Sequence, residues 1–262
     1  MKDFTTKSKE KSRGKFFWIS LFLFFMIWSI LSRWIAYRYH PMILPSPFEV
    51  LQVMFTFLSQ KIFWQSIGIT LYRGFIGLVL AVVLGILLGF FMGELSEVEN
   101  FFRPLMITLQ TTPTVSWLAL ALIWFRLPSN MTIFITFIAI FPLMTINVYQ
   151  GMGELDPSLQ EMATLFQVSK KKQLFSLYLP QLFPFIWAGG KAGIGMTWKA
   201  VAMAELLSGR DGVGGRMALA RVNLSTAEVF AWTGVLMILG YVGEQMMQYI
   251  GKKTIRYWGD EL

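Results

Sequence analysis

The sequence predicts an all-α integral membrane protein of six transmembrane helices, with a short interfacial helix and a cytoplasmic helical segment between the fourth and fifth spans. Three observations predict it. Of 262 residues, 55% are hydrophobic and 16% aromatic, and the mean hydropathy is +0.55; one soluble core of this length does not bury so much apolar surface. Six apolar runs, at about 16–36, 71–93, 104–125, 131–150, 183–207 and 228–250, each approach the roughly 20 residues that a bilayer crossing takes. The polar segments between them are too short for a separate soluble domain. The expected organisation is a tail at 1–15, one membrane domain at 16–250 that includes a loop at 152–182, and a tail at 251–262.

The first fifteen residues, MKDFTTKSKEKSRGK, are basic and lack apolar period, so they read as a solvated tail. The run that follows is long for a signal sequence and no small-residue cleavage pattern ends it, which favours a retained first span. Arg33, Trp34, Tyr37 and Tyr39 suit its interfacial end. Residues 48–64 are apolar but hold Glu49, Gln52, Gln60 and Lys61 behind Pro45 and Pro47, the pattern of a helix lying at the interface. In the second span Gly77, Ala81, Gly85, Gly89 and Gly93 recur every four residues, a bare stripe for close helix packing, most simply within the molecule. The fifth span repeats that density in Ala188, Gly189, Gly190, Ala192, Gly193 and Gly195, a face open to packing against a second copy. Pro113 and Pro142 are expected to kink the third and fourth spans.

Charge reports topology. With the amino terminus inside, 13 Lys and Arg residues flank the spans on the inner side and 8 on the outer, so both termini are expected in the cytoplasm. The net charge of +8 is scattered and builds no basic, aromatic-interleaved face, which argues against nucleic acid. No cysteine and a single histidine, His40, exclude disulfides, thiol chemistry and a cysteine or histidine metal cluster. No catalytic constellation is present in the spans. The glycines of G-G-K-A at Gly189 and G-R-D-G-V-G-G at Gly209 fail the phosphate-loop pattern.

Ionisable residues inside an apolar span face protein or water, because a charge at mid-membrane costs about 2.5 to 3.5 kcal/mol on insertion scales. Lys199 and Glu205 in the fifth span are therefore candidates for a translocation path, with Trp198, Asn147 and Thr112 as lesser ones. Six residues apart, Lys199 and Glu205 are offset by roughly 120° and do not pair within one helix. Each needs another partner. Lys191 lies near a helix end and can snorkel.

The loop from Asp156 to Pro184, DPSLQEMATLFQVSKKKQLFSLYLPQLFP, carries two short helical patterns. Asp156 caps a helix beginning at Pro157, with Leu159, Met162, Ala163, Leu165 and Phe166 on its apolar side. Ser169 is placed to cap a second, with Leu174, Phe175 and Leu177 on one face, ending before Pro180. The Lys170 to Lys172 run is either a solvated face or a partner contact.

This stretch resembles the EAA loop of binding-protein-dependent ABC importer permeases, which reads E-A-A, three residues, G, nine residues, I-x-L-P. Glu161, Met162 and Ala163 fill the triplet, and Leu177, Leu179 and Pro180 fill the end. Gln167 stands where the family has glycine, and a left-handed turn there would cost glutamine roughly 1 kcal/mol or more. From about residue 40 to 250 the chain resembles the branch that imports sulfonates, taurine, nitrate, bicarbonate and thiamine precursors. The match runs through L-P-S-P at Leu44, T-L-Y-R-G-F at Thr70, T-P-T-V-S-W at Thr112, F-P-L-M-T-I-N at Phe141, T-W-K-A-V-A-M-A-E at Thr197 and G-V-G at Gly212.

The resemblance implies the type I permease fold in the bacterial inner membrane and a homodimer of such subunits. Two cytoplasmic ATPases that bind ATP and Mg, and an external substrate-binding protein, complete the implied assembly. This chain itself would hold no cofactor. Glu161, Met162, Ala163, Gln167, Leu179 and Pro180 would then form the ATPase-docking loop. The rival expectation is an ion-coupled secondary transporter or channel, for which that loop would be incidental.

Overall fold

Every regular element among the described residues is a helix. The computed structural model describes residues 3–40 and 42–259, with side chains at 16, 18–40 and 42–251. The order is α1 (Asp3–Arg38), α2 (Pro47–Leu58), α3 (Lys61–Glu94), α4 (Ser96–Thr111), α5 (Thr114–Trp124), α6 (Pro128–Gly153), α7 (Pro157–Leu165), α8 (Lys170–Gln173), a π-helical segment (Leu174–Tyr178), α9 (Leu179–Ser208), α10 (Gly212–Val222) and α11 (Thr226–Gly259). The expected tails differ in part: α1 already begins at Asp3, and residues 1–2 and 260–262 lie outside the described residues.

All six expected runs fall on helices, but they are not six equal crossings. Among the described residues, four helical stretches are long and apolar enough to span a bilayer: Trp18–Arg38, Lys61–Glu94, Pro128–Gly153 and Thr226–Gly251. The third expected span is a broken pair, α4 and α5, bent by 96°. Pro113 is the cause. It offers no N–H and drives Thr112 to extended geometry (φ −71°, ψ 127°). The Thr112 Oγ1 donates to the Thr108 carbonyl at 2.7 Å, and Thr111 does the same to Ile107 at 3.0 Å, so hydroxyls help close the end of α4. Pro142, by contrast, stays inside a continuous α6. The fifth run is α9, 30 residues and on the order of 45 Å long, whose three ionisable side chains make it less apolar than the others.

The interfacial helix is shorter than expected and the second span longer. α2 ends at Leu58 and α3 begins at Lys61. A capping box stops the chain from continuing one helix backwards through Pro45: the Ser46 N–H donates to Glu49 Oε2 at 2.9 Å, and the Glu49 N–H donates back to Ser46 Oγ at 3.3 Å.

Two compact units divide the chain. The first comprises residues 1–64 and 217–234. Here Phe57 stacks on Trp232 with centroids 4.6 Å apart, and Phe63 lies 5.5 Å from the same indole. The loop after α1 is tied down by Trp28 Nε1 donating to the Pro45 carbonyl and Ser32 Oγ to that of Leu44.

The second unit comprises residues 65–216 and 235–262. The glycine stripe of α3 lies on α6: a Cβ at Gly85 would stand 2.8 Å from Met144 Cβ, and one at Gly89 would stand 2.5 Å from the Thr145 carbonyl oxygen. Ala81 is fully buried in the same row. The backbones approach as closely as the missing side chains permit. On α9 the small residues divide. Gly189 and Gly193 face α6 through Met144 and Ile140, whereas Ala188, Ala192 and Gly195 remain exposed.

Candidate functional site

The helical loop between α6 and α9 forms a hooked surface. Asp156 caps α7 by accepting the Ser158 N–H at 2.8 Å and the Ser158 hydroxyl at 2.8 Å. These bonds hold its carboxyl below the usual carboxylate range. The Asp156 N–H in turn donates to Gln181 Oε1 at 2.9 Å, which fastens the start of α7 to the first turns of α9.

At the other end of α7 the chain reverses through Gln167, whose φ is +51°. The Gln167 N–H donates to the Thr164 carbonyl at 3.0 Å and the Val168 N–H to the Ala163 carbonyl at 2.9 Å. That pair of bonds is a Schellman closure with glutamine in its left-handed position. The turn that the glycine pattern calls for therefore forms here without glycine. Gln173 Nε2 braces it by donating to the Val168 carbonyl at 2.8 Å.

The turn folds α7 against α8 and the π segment, leaving a groove of about 280 Å³ lined by Leu159, Met162, Ala163, Phe166, Val168 and Leu177, among others. Met162, Leu165 and Phe166 remain 52%, 79% and 76% exposed, an apolar patch that nothing among the described residues covers. Glu161 and Lys170 to Lys172 are exposed around it.

The second expected helix of this loop departs from the prediction. Ser169 makes no side-chain cap bond, and the helix does not stop before Pro180. It widens into the π segment and runs on as α9, with Pro180 in the first turn of α9. Pro180 has no N–H, so the continuous helix lacks one ladder bond at this point, directly after the wide turn in which the Leu179 N–H donates to the Leu174 carbonyl. Leu179 is 37% exposed and Pro180 half-buried.

At the far end of α9, Glu205 is fully buried and its oxygens are occupied. Arg73 Nη1 donates to Oε1 at 2.9 Å, while the Thr70 hydroxyl at 2.7 Å and the Gly214 N–H at 3.0 Å donate to Oε2. Arg73 spends its other donors on Ser129 Oγ, at 3.1 and 3.0 Å, on Asp211 Oδ1 at 2.6 Å and on the Asp211 carbonyl at 3.4 Å. The Val213 N–H donates to Thr70 Oγ1 at 2.9 Å. Glu205 thereby accepts from the first turn of α10, where the helix dipole favours a carboxylate. The two glycines of G-V-G permit this approach: a side chain at Gly212, with φ +81°, would occupy the space of the Glu205 carboxylate, and a Cβ at Gly214 would stand 2.6 Å from the Ala202 carbonyl oxygen and from Glu205 Cβ.

The partner that Glu205 requires is thus Arg73, on a different helix and 132 positions away. Thr70 and Arg73, one turn apart in an otherwise apolar run, were the available signal, because an intramembrane carboxylate demands a cation. Asp211 and Ser129 carried no such mark.

The remaining pathway candidates separate. Lys199 is exposed and forms no ion pair among the described residues; it continues the open face of Ala188, Ala192 and Gly195. Trp198 turns the other way, against α11, where a Cβ at Gly243 would lie 3.0 Å from its Nε1. Asn147 is half-buried at the contact of α6 with Gly189 and donates Nδ2 to the Leu143 carbonyl at 2.8 Å. Thr112 marks the break between α4 and α5. Glu205 is enclosed and reaches no open path in this conformation.

A long α3 packed by its glycines on α6, a broken α4–α5 pair and a looped, exposed hook define a class: a multi-helix membrane protein with an uncovered apolar hook. The chain belongs to the family of binding-protein-dependent transport system inner membrane components, whose model matches residues 81–256. It is 29% identical to the formylaminopyrimidine transport permease protein ThiX of Halalkalibacterium halodurans over 226 residues, covering 84% of this chain and 88% of that protein. It is 30% identical to the nitrate import permease protein NrtB of Leptolyngbya laminosa, covering 78% and 71%. With the taurine transport system permease protein TauC of Escherichia coli the figures are 26%, 84% and 82%.

Among solved structures, the fold is similar to a chain of an amino acid ABC transporter, with a TM-score of 0.61 and 12% identity over 79% of this chain and 97% of that one. It is also similar to a chain of a bacterial alginate importer, with 0.59 and 14% over 93% and 99%. The protein is a multi-pass inner-membrane permease subunit of an ABC importer and not itself an enzyme.

Proposed function

We propose that this chain forms half of a translocation pathway for a small polar or anionic nutrient, and that separate ATPases drive it through the hook at Glu161 to Pro180. The observation that carries this reading is the left-handed Gln167 turn, which folds α7 back and leaves Met162, Leu165 and Phe166 uncovered. An amphipathic helix with its apolar side bare is the natural insert for a groove on a partner. Glu161, Met162, Ala163 and Gln167 contact the ATPase, while Leu179 and Pro180 fix the hook to α9.

The rest of the assembly comprises a second copy of the chain, two ATPases holding ATP and Mg, and an external substrate-binding protein, with both termini in the cytoplasm. ATP-driven closure of the ATPases moves the hooks and rocks the halves between inward-open and outward-open states. Lys199, exposed on α9 and without an ion pair among the described residues, favours an anionic or strongly polar cargo. The names of the nitrate, taurine and formylaminopyrimidine permeases support that class.

The test is co-purification of the chain with its candidate ATPases. Glu161→Lys abolishes the complex while membrane insertion and the detergent elution profile stay native. A complex of native strength, with unchanged hydrolysis, would refute the docking assignment.

A further inference from the structure

We infer that Arg73 is a positioning residue which clamps the far end of α9 to α3 and α6, so that motion entering at the hook tilts the three helices together. The inference rests on the hook being the driven element.

From Lys170 to Ser208 the chain is helical without interruption, on the order of 55 to 60 Å, about twice the thickness of a bilayer hydrocarbon core. The hook lies at one end of this rod and Glu205 within the last turn of the other. Between them the rod is weakest, because Gly189, Gly190, Gly193 and Gly195 stand within seven residues and glycine adds backbone freedom. A rod that bends in the middle does not deliver a displacement to its tip unless the tip is held.

The Arg73 cluster holds it. All five guanidinium N–H groups are engaged, on Ser129 at the start of α6, on Glu205 of α9 and on Asp211 in the turn before α10. Arg73 itself belongs to α3. Burial of this many charges is weak grounds for a stability role, since apolar replacements of buried ion pairs are often neutral or better. A fixed four-way geometry is what the ionic arrangement supplies beyond an apolar contact. Lysine, with three donors and no planar fork, does not reproduce it.

The chain has no cysteine, so one introduced thiol, read on this chain's own band after separation from its partners, reports on the far end alone. Gln65 is exposed beside an opening of about 560 Å³ that Arg73 and Asp211 also line. In the complete complex with its ATPases, Gln65→Cys is labelled with a soluble maleimide, nucleotide-free and after trapping with ATP and vanadate. The labelling rates differ about fivefold or more between the two states. Adding Glu205→Gln or Asp211→Asn brings the ratio close to one, with ATPase retention and basal hydrolysis unchanged.

Asp211 is half exposed, so its variant takes the charge from one strut without stranding a buried one; it decides the matter if Glu205→Gln does not assemble. A native ratio surviving in Asp211→Asn overturns the inference, as does a ratio near one in the parent complex. Failure of the ATPases to bind the native chain refutes the docking reading instead, and the clamp falls with it.

Discussion

Gln167 sets up an unusual prediction, in which replacing a side chain by none strengthens the structure. Its φ of +51° is a conformation that costs a residue with a Cβ about 1 to 2 kcal/mol. Gln167→Gly removes that cost but returns about 0.5 to 1 kcal/mol through the greater freedom of the unfolded chain. The net gain is centred on about 0.75 kcal/mol, within about 0 to 1.5. The direct reporter is hydrogen exchange at the Val168 amide, whose bond to the Ala163 carbonyl closes the turn. Its exchange slows by about two- to fivefold in Gln167→Gly. Gln167→Val moves it the other way by a larger factor, since a β-branched side chain tolerates positive φ least. Equal or faster exchange in the glycine variant would show that the turn is not strained and that the Gln167 side chain itself holds it.

Two further outcomes follow from the same geometry. Gly89→Val drives a side chain into the Thr145 carbonyl and Val148 and costs about 1 to 3 kcal/mol, read as a lower midpoint in detergent thermal unfolding; Gly68→Ala, with nothing within 4 Å, raises the midpoint slightly, because alanine within a helix gains about 0.5 to 1 kcal/mol over glycine. Because Asp156 has a folded pKa below its unfolded value, its cap is fully present above the unfolded pKa of about 3.9 and fades as pH falls through the lower folded value. Protection of the Ser158 amide, corrected for intrinsic exchange, therefore holds from neutral pH down to about 5 and drops below about 4, while Asp156→Asn removes that pH dependence.

Much of the fold was legible because it rests on short-range rules. The four-residue period of Gly77 to Gly93 announced a close helix contact, though α6 as the partner could not be read from the period alone. The Asp156–Pro157 start of α7 was local capping chemistry and formed as such. The elements that escaped were those decided by competition. Pro113 was expected to kink one helix and instead divides it, because the Thr111 and Thr112 hydroxyls supply an alternative ending that plain apolar residues would not. Pro180 was expected to end a helix and instead lies inside one that continues from the π segment into α9. In the ion cluster, Glu205 was visible as a charge in need of a partner, but Arg73, Asp211 and Ser129 come from distant segments that only tertiary packing assembles. Gln167 was the informative exception: the family pattern marked the place, and the backbone keeps the turn there despite the residue.

The π segment at Leu174–Tyr178 has a consequence for how the hook can differ among related chains. A wide turn accommodates about one residue more than an α turn, so it shifts the rotational phase of everything on one side of it by about 100° relative to the other. Lys170 to Gln173 and the membrane portion of α9 therefore keep separate angular registers although they share one continuous helix. The direction in which the hook faces is thereby offset by a fixed angle from the direction in which α9 faces its neighbours, and a chain without the wide turn would carry its hook on another side of the same helix.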